Sequence, residues 1–321
     1  MNHTNSQIHS TPLPDREGQG GESSRVSTYS FTVEPFHVDF TGHLFLGVLG
    51  NHLLNAAGHH SHDRGWGIDH LNQQHFSWVL SRLSIELTET PAQYEHVEVE
   101  TWVESVMKLF TERNFLIRNA DDGRIYGYAR SIWAMIDMET RQPSNLLELK
   151  DGDILNYVIP AEEKPCPIEK FPRLPRISPQ PLAVREGSNC LQAGKSDSAD
   201  ACSVDSAPSL IGRAGGASVL MTHYSDVDIN GHINSIKYIE HILDLFPREQ
   251  FAQQRIRRFD IAYKAESYWG DALNFFVEEG THGGALAATT DIEIRKHVGT
   301  AKKPAGETVV QAKVSWEKPE A

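Results

Sequence analysis

Residues 38–54 read V-D-F-T-G-H-L-F-L-G-V-L-G-N-H-L-L, and residues 227–243 read V-D-I-N-G-H-I-N-S-I-K-Y-I-E-H-I-L. The two stretches lie over one another without a gap, at one offset: 228 − 39 = 189, 232 − 43 = 189 and 241 − 52 = 189. Further on, E-T-P-A-Q-Y-E-H-V-E-V (89–99) lies over A-E-S-Y-W-G-D-A-L-N-F (265–275). A chain that repeats its pattern in this way folds as two copies of one unit. The unit is legible from periodicity. In the first copy Tyr29, Phe31 and Val33 alternate with polar residues as on a half-buried strand. An apolar helical stretch follows from Leu44 to about Ala57, ending near Gly58. Four strand-like segments come next, at 76–87, 96–103, 110–118 and 125–136, and D-D-G-R at 121–124 is a hairpin turn between the last two. The second copy repeats the order. A strand through A-S-V-L-M-T-H-Y precedes a helix carrying Ile233, Ile236, Ile239, Leu243 and Phe246 on one face, and further strands follow. Each unit is therefore α+β, a twisted antiparallel sheet wrapped around a helix of roughly 15 to 17 residues, about 25 Å long.

Between and before the units the pattern fails. Residues 1–26 are polar and aperiodic and are expected to form a disordered tail, and the G-Q-G-G within them follows no strand, so it is not a phosphate loop. The division that follows is 27–155 for the first unit, 156–216 for a linker and 217–321 for the second. The Pro-rich start of the linker is expected to run extended over the surface, and 186–216 reads as a flexible insert. A net charge of −13 argues against a nucleic-acid partner, because that affinity rests on phosphate neutralisation. No apolar run reaches the roughly 20 residues that span a bilayer, and no secretory signal opens the chain, so a cytoplasmic location is expected. Cys166, Cys190 and Cys202 lie outside the patterned segments and form no C-x-x-C, which argues against disulfides and a zinc site.

The differences between the copies point to chemistry. Asp228, Asn230 and His232 precede the second helix, and Glu266 follows 38 residues after the aspartate (266 − 228 = 38). Thr41 stands where the second copy has Asn230, and Thr90 where it has Glu266. Turn formation or helix capping tolerates Thr as well as Asn, so capping alone does not require the asymmetry. One complete polar constellation and one stripped of its amide and acid fit an active and a degenerate site.

Residues 224–246, I-A-Y-K-A-E-S-Y at 261–268 and W-V-L-S-R at 78–82 resemble the acyl-[acyl-carrier-protein] (acyl-ACP) thioesterases of plants and bacteria, over nearly all the patterned chain. The resemblance implies a tandem, or double, hotdog fold. It also implies release of free fatty acid from the acyl carrier protein, with catalytic Asp228, Asn230, His232 and Glu266 and no cofactor or metal. Plant members carry cysteine after the glutamate; Ser267 here argues for attack by water. The first unit is then expected to supply the acyl-chain pocket, with Trp78, Trp102 and Trp133 as bulk. Duplication already provides the contact that single hotdogs obtain by dimerising, so a monomer and a homodimer of double units both fit.

From residue chemistry, a partly desolvated Glu266 at a strand end serves as general base for water, or attacks directly to give an anhydride. Asn230 orients water or substrate, and His232 donates to the carbonyl or the departing thiolate. Asp228 fixes the loop, and the N–H groups opening the helix offer a place for the thioester oxygen. The basic run at 255–258, with Arg295, Lys296, Lys302 and Lys303, is either a set of solvated strand ends or a dock for an acidic carrier. The histidines in G-H-H-S-H-D (58–63), with His70 and His75, are expected beyond a helix end as surface residues. Ser81 and Arg82 are expected to be structural. An acyl-coenzyme A thioesterase and a non-catalytic acyl-binding regulator are the alternative functions.

Overall fold

The computed structural model describes residues 25–177, 212–214, 217–280, 288–297 and 306–318. Residues 1–24 of the expected N-terminal tail, Lys302, Lys303, Cys190, Cys202 and nearly all of the 186–216 insert lie outside the described residues. In chain order the elements of the first unit are β1 (Val26–Thr32), α1 (Leu46–His62), α2 (Ile68–Asn72), β2 (Phe76–Leu87), β3 (His96–Val106), β4 (Phe110–Asn119) and β5 (Ile125–Asp137). Then come β6 (Gly212–Ala214), β7 (Ala217–Met221), α3 (Ser235–Leu243), α4 (Arg248–Gln253), β8 (Arg255–Tyr263), β9 (Ala272–Glu279), β10 (Thr289–Lys296) and β11 (Glu307–Glu317).

All eleven strands form one sheet in the order β1-β3-β4-β5-β2-β8-β11-β10-β9-β7-β6. Apart from the edge strand β6, the order mirrors itself about the β2–β8 seam. The register gives the axis. Arg82 pairs with Ala262 and Glu86 with Arg258, so Ser84 faces Asp260. Since 260 − 84 = 176 and 268 − 92 = 176, equivalent residues of the two units meet there, and a pseudo-twofold axis passes through that pair. Ser84 Oγ donates to the Asp260 carboxylate.

Both main helices lie on one face of this sheet, over a single apolar core that crosses the seam and includes Leu49, Leu53, Phe115, Ile239, Ile242, Phe259 and Val314. Each such fully buried aliphatic side chain contributes roughly 1.5–3 kcal/mol. Close approach of the helices requires glycine. A Cβ on Gly50 would lie 2.8 Å from Ile236 Cδ1, and one on Gly47 2.9 Å from Glu240 Cγ. The opposite face is polar, with Arg258 bonded to Asp260 and Glu86, and Arg295 to Glu293. The Pro-rich segment runs extended over it. The carbonyls of Glu169 and Lys170 accept from Arg258, that of Pro175 accepts from Gln311, and Ile177 N donates to Glu293.

Two helix expectations are corrected. α1 spans 17 residues as anticipated, but it runs through Gly58 to His62, and α3 has only nine. The equivalence offset explains the difference: it falls from 189 to 176 between helix and following strand, so the first unit holds 13 residues more there (189 − 176 = 13). α3 stops at Asp244 in a chain that meets Pro247, a residue that cannot continue a helix.

Candidate active site

The local fold of the second motif is set by Asp228. Its Oδ1 accepts from the backbone N–H of Asn230 at 2.8 Å and of His232 at 3.2 Å. Its own N–H donates to His232 O, and Gly231 N donates back to Asp228 O at 3.0 Å. Gly231 has φ 80°, the left-handed region glycine adopts without steric cost. The loop is then stitched to the β8–β9 connection: Ile233 N donates to Ser267 O at 2.9 Å, and His232 bridges Tyr268. This stitching brings an acid 34 residues further on (266 − 232 = 34) to the histidine.

Glu266 lies three residues past the end of β8, not at the strand end as expected. One carboxylate oxygen accepts from Arg141 and stands 3.6 Å from His232 Nδ1. The other accepts from Tyr268 OH at 2.9 Å, and Lys296 Nζ holds the Glu266 carbonyl at 2.7 Å. The His232 ring meets the Tyr268 ring edge-on, centroids 5.1 Å apart. The carboxylate is partly buried. The Glu266 side chain is 33% exposed, and Tyr268 and Trp269 are 44% and 68% exposed. Ser267 is buried, so its hydroxyl is not presented to substrate.

Helix capping is performed by a different residue. Asn234 is the N-cap of α3, its Oδ1 accepting from Ile236 N at 2.9 Å, while Asn230 is exposed and its side chain bonds to no described residue. Of the N–H groups at the helix start, most are already committed within the loop. The N–H groups of Asn230, Gly231, His232, Ile233 and Asn234 are all spent on Asp228, Ser267 or Asp226, and that of Ile236 on the cap. Donors left for an oxyanion at this loop are the Asn230 amide and the His232 imidazole, together with the N–H of Ser235 at the first position of α3.

The first unit reproduces the backbone bond by bond. Asp39 N donates to His43 O at 2.9 Å, Gly42 N to Asp39 O at 3.0 Å and Leu44 N to Pro91 O at 2.8 Å, with Gly42 at φ 79° and His43 bridged to Ala92. The side chains differ. Thr41 Oγ1 bonds both Asp39 Oδ1 and His43 Nδ1, closing the polar groups on one another, and Thr90 takes the place of the acid.

Two family models account for the chain, the acyl-ACP thioesterase N-terminal domain over residues 25–149 and the C-terminal domain over 215–318. The chain belongs to the acyl-ACP thioesterase family. A crystal structure of an acyl-ACP thioesterase from Bacteroides thetaiotaomicron is 46% identical, covering 91% of this chain and 98% of that one with a TM-score of 0.71. The 12:0-ACP thioesterase from Umbellularia californica, 17% identical with a TM-score of 0.64 over 92% of this chain and 94% of that one, shares the hotdog fold. The chloroplastic oleoyl-acyl carrier protein thioesterase of Coriandrum sativum is 24% identical over 81% of this chain and 67% of its own length. The chloroplastic palmitoyl-acyl carrier protein thioesterase of Arabidopsis thaliana is 23% identical over 91% and 64%. The chain thus spans about two thirds of these plant relatives.

In this thioesterase fold a cavity of about 500 Å³ opens in the first unit, between the end of α1 and strands β2 to β5. Trp78 and Trp133 line it, whereas Trp102 faces the other side of the sheet, beneath Lys164. His60 and Arg113 also line the cavity, and neither was anticipated. His60 is a buried helical residue, not a surface histidine beyond the helix. The Arg113 guanidinium contacts Thr101, Ser61 and His60 and no described carboxylate, and burial pushes its pKa down to about 9. Its signal was present in the sequence: Arg113 falls on the same face of β4 as Phe115 and Ile117.

Arg141 was missed for a different reason. It sits at φ 59° in the turn after β5, where Asp137 Oδ1 accepts from Glu139 N and Thr140 N, and only the fold carries that turn across to the second unit. The basic run at 255–258 is not a free dock. Arg255 pairs with Glu317, Arg257 with Glu86 and Glu317, and Arg258 with Asp260 and Glu86. Among the described residues no three His, Cys, Asp or Glu side chains gather as a metal site, and no helix is long and apolar enough to cross a membrane.

Proposed function

We propose that this chain hydrolyses acyl-ACP to free fatty acid and holo-ACP at the second unit's Asp228, Asn230, His232 and Glu266. The observation that carries the reading is the approach of Glu266 to His232 beside an unspent Asn230 amide, set against a first unit that has the same backbone and no acid. A carboxylate has about four lone-pair sites, so Glu266 retains acceptors for water after Arg141 and Tyr268 are served. Water donates its proton to Glu266 as its oxygen bonds to the thioester carbon. The oxyanion accepts hydrogen bonds from Asn230 and His232, and collapse breaks the C–S bond, the thiolate recovering the proton. Asp228 positions both donors through their backbone N–H groups. Arg141 supplies the counter-charge that holds the carboxylate in place.

The 500 Å³ cavity receives the acyl chain in this reading, and the acyl carrier protein is the partner. The pseudo-dyad already inside the sheet supports a monomer, which sedimentation of the full chain distinguishes from a homodimer. A cytoplasmic location belongs to the same proposal, although the named plant relatives are chloroplastic. The deciding assay compares fatty acid release from matched acyl-ACP and acyl-coenzyme A, for the unaltered chain and Glu266→Gln. Carrier-preferred hydrolysis that falls at least about 10²-fold in the variant is expected. Near-normal turnover by Glu266→Gln removes the general base, and preference for acyl-coenzyme A removes the carrier.

A further inference from the structure

The first unit retains more than a disarmed loop. A cavity of about 910 Å³ opens against Asp39, Thr41, His43 and Thr90, and its walls are apolar: Leu46, Val48, Leu87, Leu243, Phe246 and Phe251. Its volume lies within the range of small-molecule sites, about 300–1,000 Å³. Part of its wall corresponds to that of the 500 Å³ cavity under the pseudo-dyad, at the end of the main helix. Leu243, Asp244 and Phe246 line it, and their counterparts at the common offset, Leu54, Asn55 and Ala57, line the other (243 − 54 = 244 − 55 = 246 − 57 = 189).

We infer that this cavity is a second acyl-chain site, one that binds an acyl group without hydrolysing it. The class of ligand rests on the acyl thioesterase reading of the second unit; the cavity and its partial equivalence do not. Hydrolysis is precluded by residue chemistry. Thr90 replaces the general base, and the Thr41 hydroxyl is taken by Asp39 and His43. The acid beside Thr90 in sequence, Glu89, is paired with Arg124, and the Asp39 carboxylate is turned onto Thr41. The charges at the rim are also largely committed, Glu240 to Lys237 and Arg255 to Glu317, and Arg248 lies 4.6 Å over the Phe40 ring. What remains for a ligand is an apolar wall with the Thr90 hydroxyl at one end and Asp244 at the α3 end, suited to a hydrocarbon chain with its carbonyl at Thr90. Either a free fatty acid or an acyl thioester presents that chain.

The test is equilibrium binding to the full chain carrying Glu266→Gln, with radiolabelled palmitate in one arm and a non-hydrolysable hexadecyl thioether of ACP in the other. Saturation at about two equivalents per chain in at least one arm is expected, and the arm that reaches two identifies the source. Ala252→Trp plugs the cavity from the exposed face of α4, and Leu243→Trp plugs it from the α3 wall. Either is expected to reduce the stoichiometry to about one. In the Glu266 background Ala252→Trp is expected to keep the hydrolytic kcat within about twofold. Saturation at one equivalent or none, or two equivalents insensitive to both plugs, overturns the second site. Loss of the thioesterase reading shows separately, as absence of acyl-ACP hydrolysis by the unaltered chain.

Discussion

Replacing His60 with glutamine isolates one buried titration. The imidazole is 1% exposed, and its partners fix its neutral form: Nδ1 lies 3.3 Å from the Arg113 guanidinium and accepts from it, and Nε2 donates to Arg25 O at 3.2 Å. A second ring proton would point at a guanidinium. Burial first, then Arg113 and Arg64, pushes the pKa from 6.5 down to about 2. The unfolded chain therefore binds a proton from about pH 6.5 downward while the folded chain does not until about pH 2. Stability from this residue is fully present above pH 6.5 and is lost as pH falls through that window. At about pH 5 the loss is 1.5 pKa units, or about 2 kcal/mol at 1.36 kcal/mol per unit. Glutamine offers an oxygen to Arg113 and an N–H to Arg25 and takes no proton. Urea unfolding near pH 7.5 and near pH 5, followed by tryptophan fluorescence, should show the unaltered chain losing about 2 kcal/mol more than His60→Gln. His52, stacked on Phe31 and lowered to about 4, titrates in both proteins and cancels. Equal losses would refute the assignment of a neutral, inaccessible imidazole.

Asp228→Ala removes the acceptor of two backbone N–H groups, and a loss of about 1–3 kcal/mol in stability is expected alongside a fall in kcat, measured by denaturant midpoint and acyl-ACP hydrolysis. Asn234→Ala deletes the α3 cap and should cost about 1 kcal/mol by thermal unfolding, with a smaller effect on turnover than Asn230→Ala, whose side chain is not used structurally. Arg113→Met exchanges a buried charge lacking a described acid for an apolar chain of similar length. It should be neutral or stabilising by about 1–4 kcal/mol, and competition between acyl-ACP substrates should shift toward longer chains. Asp260→Ala leaves the buried Arg258 with Glu86 as its remaining close acid and takes the acceptor from Ser84, and should cost about 1–3 kcal/mol, read as a lowered denaturant midpoint.

The duplication, the α+β unit and the four polar residues were legible because they are local or strictly periodic. The gapless offset of 189 survives as matching hydrogen bonds, Asp39 N to His43 O and Asp228 N to His232 O. The strand at 76–87 follows from alternation and matches β2 residue for residue. The helix ends were not legible. Gly58 suggested a stop, yet its helix penalty of about 1 kcal/mol is small beside the burial of the turn that follows it. The cap itself, Asn234, was not singled out, because Asn230 and Asn234 are both asparagines before an apolar run and only the backbone course separates them.

By itself the sequence determined that two equivalent units form and that one of them carries Asp, Asn, His and Glu. The periodicities of strand and helix and the identity of each side chain are local properties, and a repeat is visible without coordinates. The tertiary structure alone decided what faces those residues. The β2–β8 seam joins the units about Ser84 and Asp260, which carries Arg141 of one unit to Glu266 of the other, 125 positions away. It also commits Arg255, Arg257 and Arg258 to internal carboxylates, leaving the site's charge to residues distant in sequence. Such contacts depend on which strands pair and in what register, and a one-residue slip would turn every side chain to the opposite face.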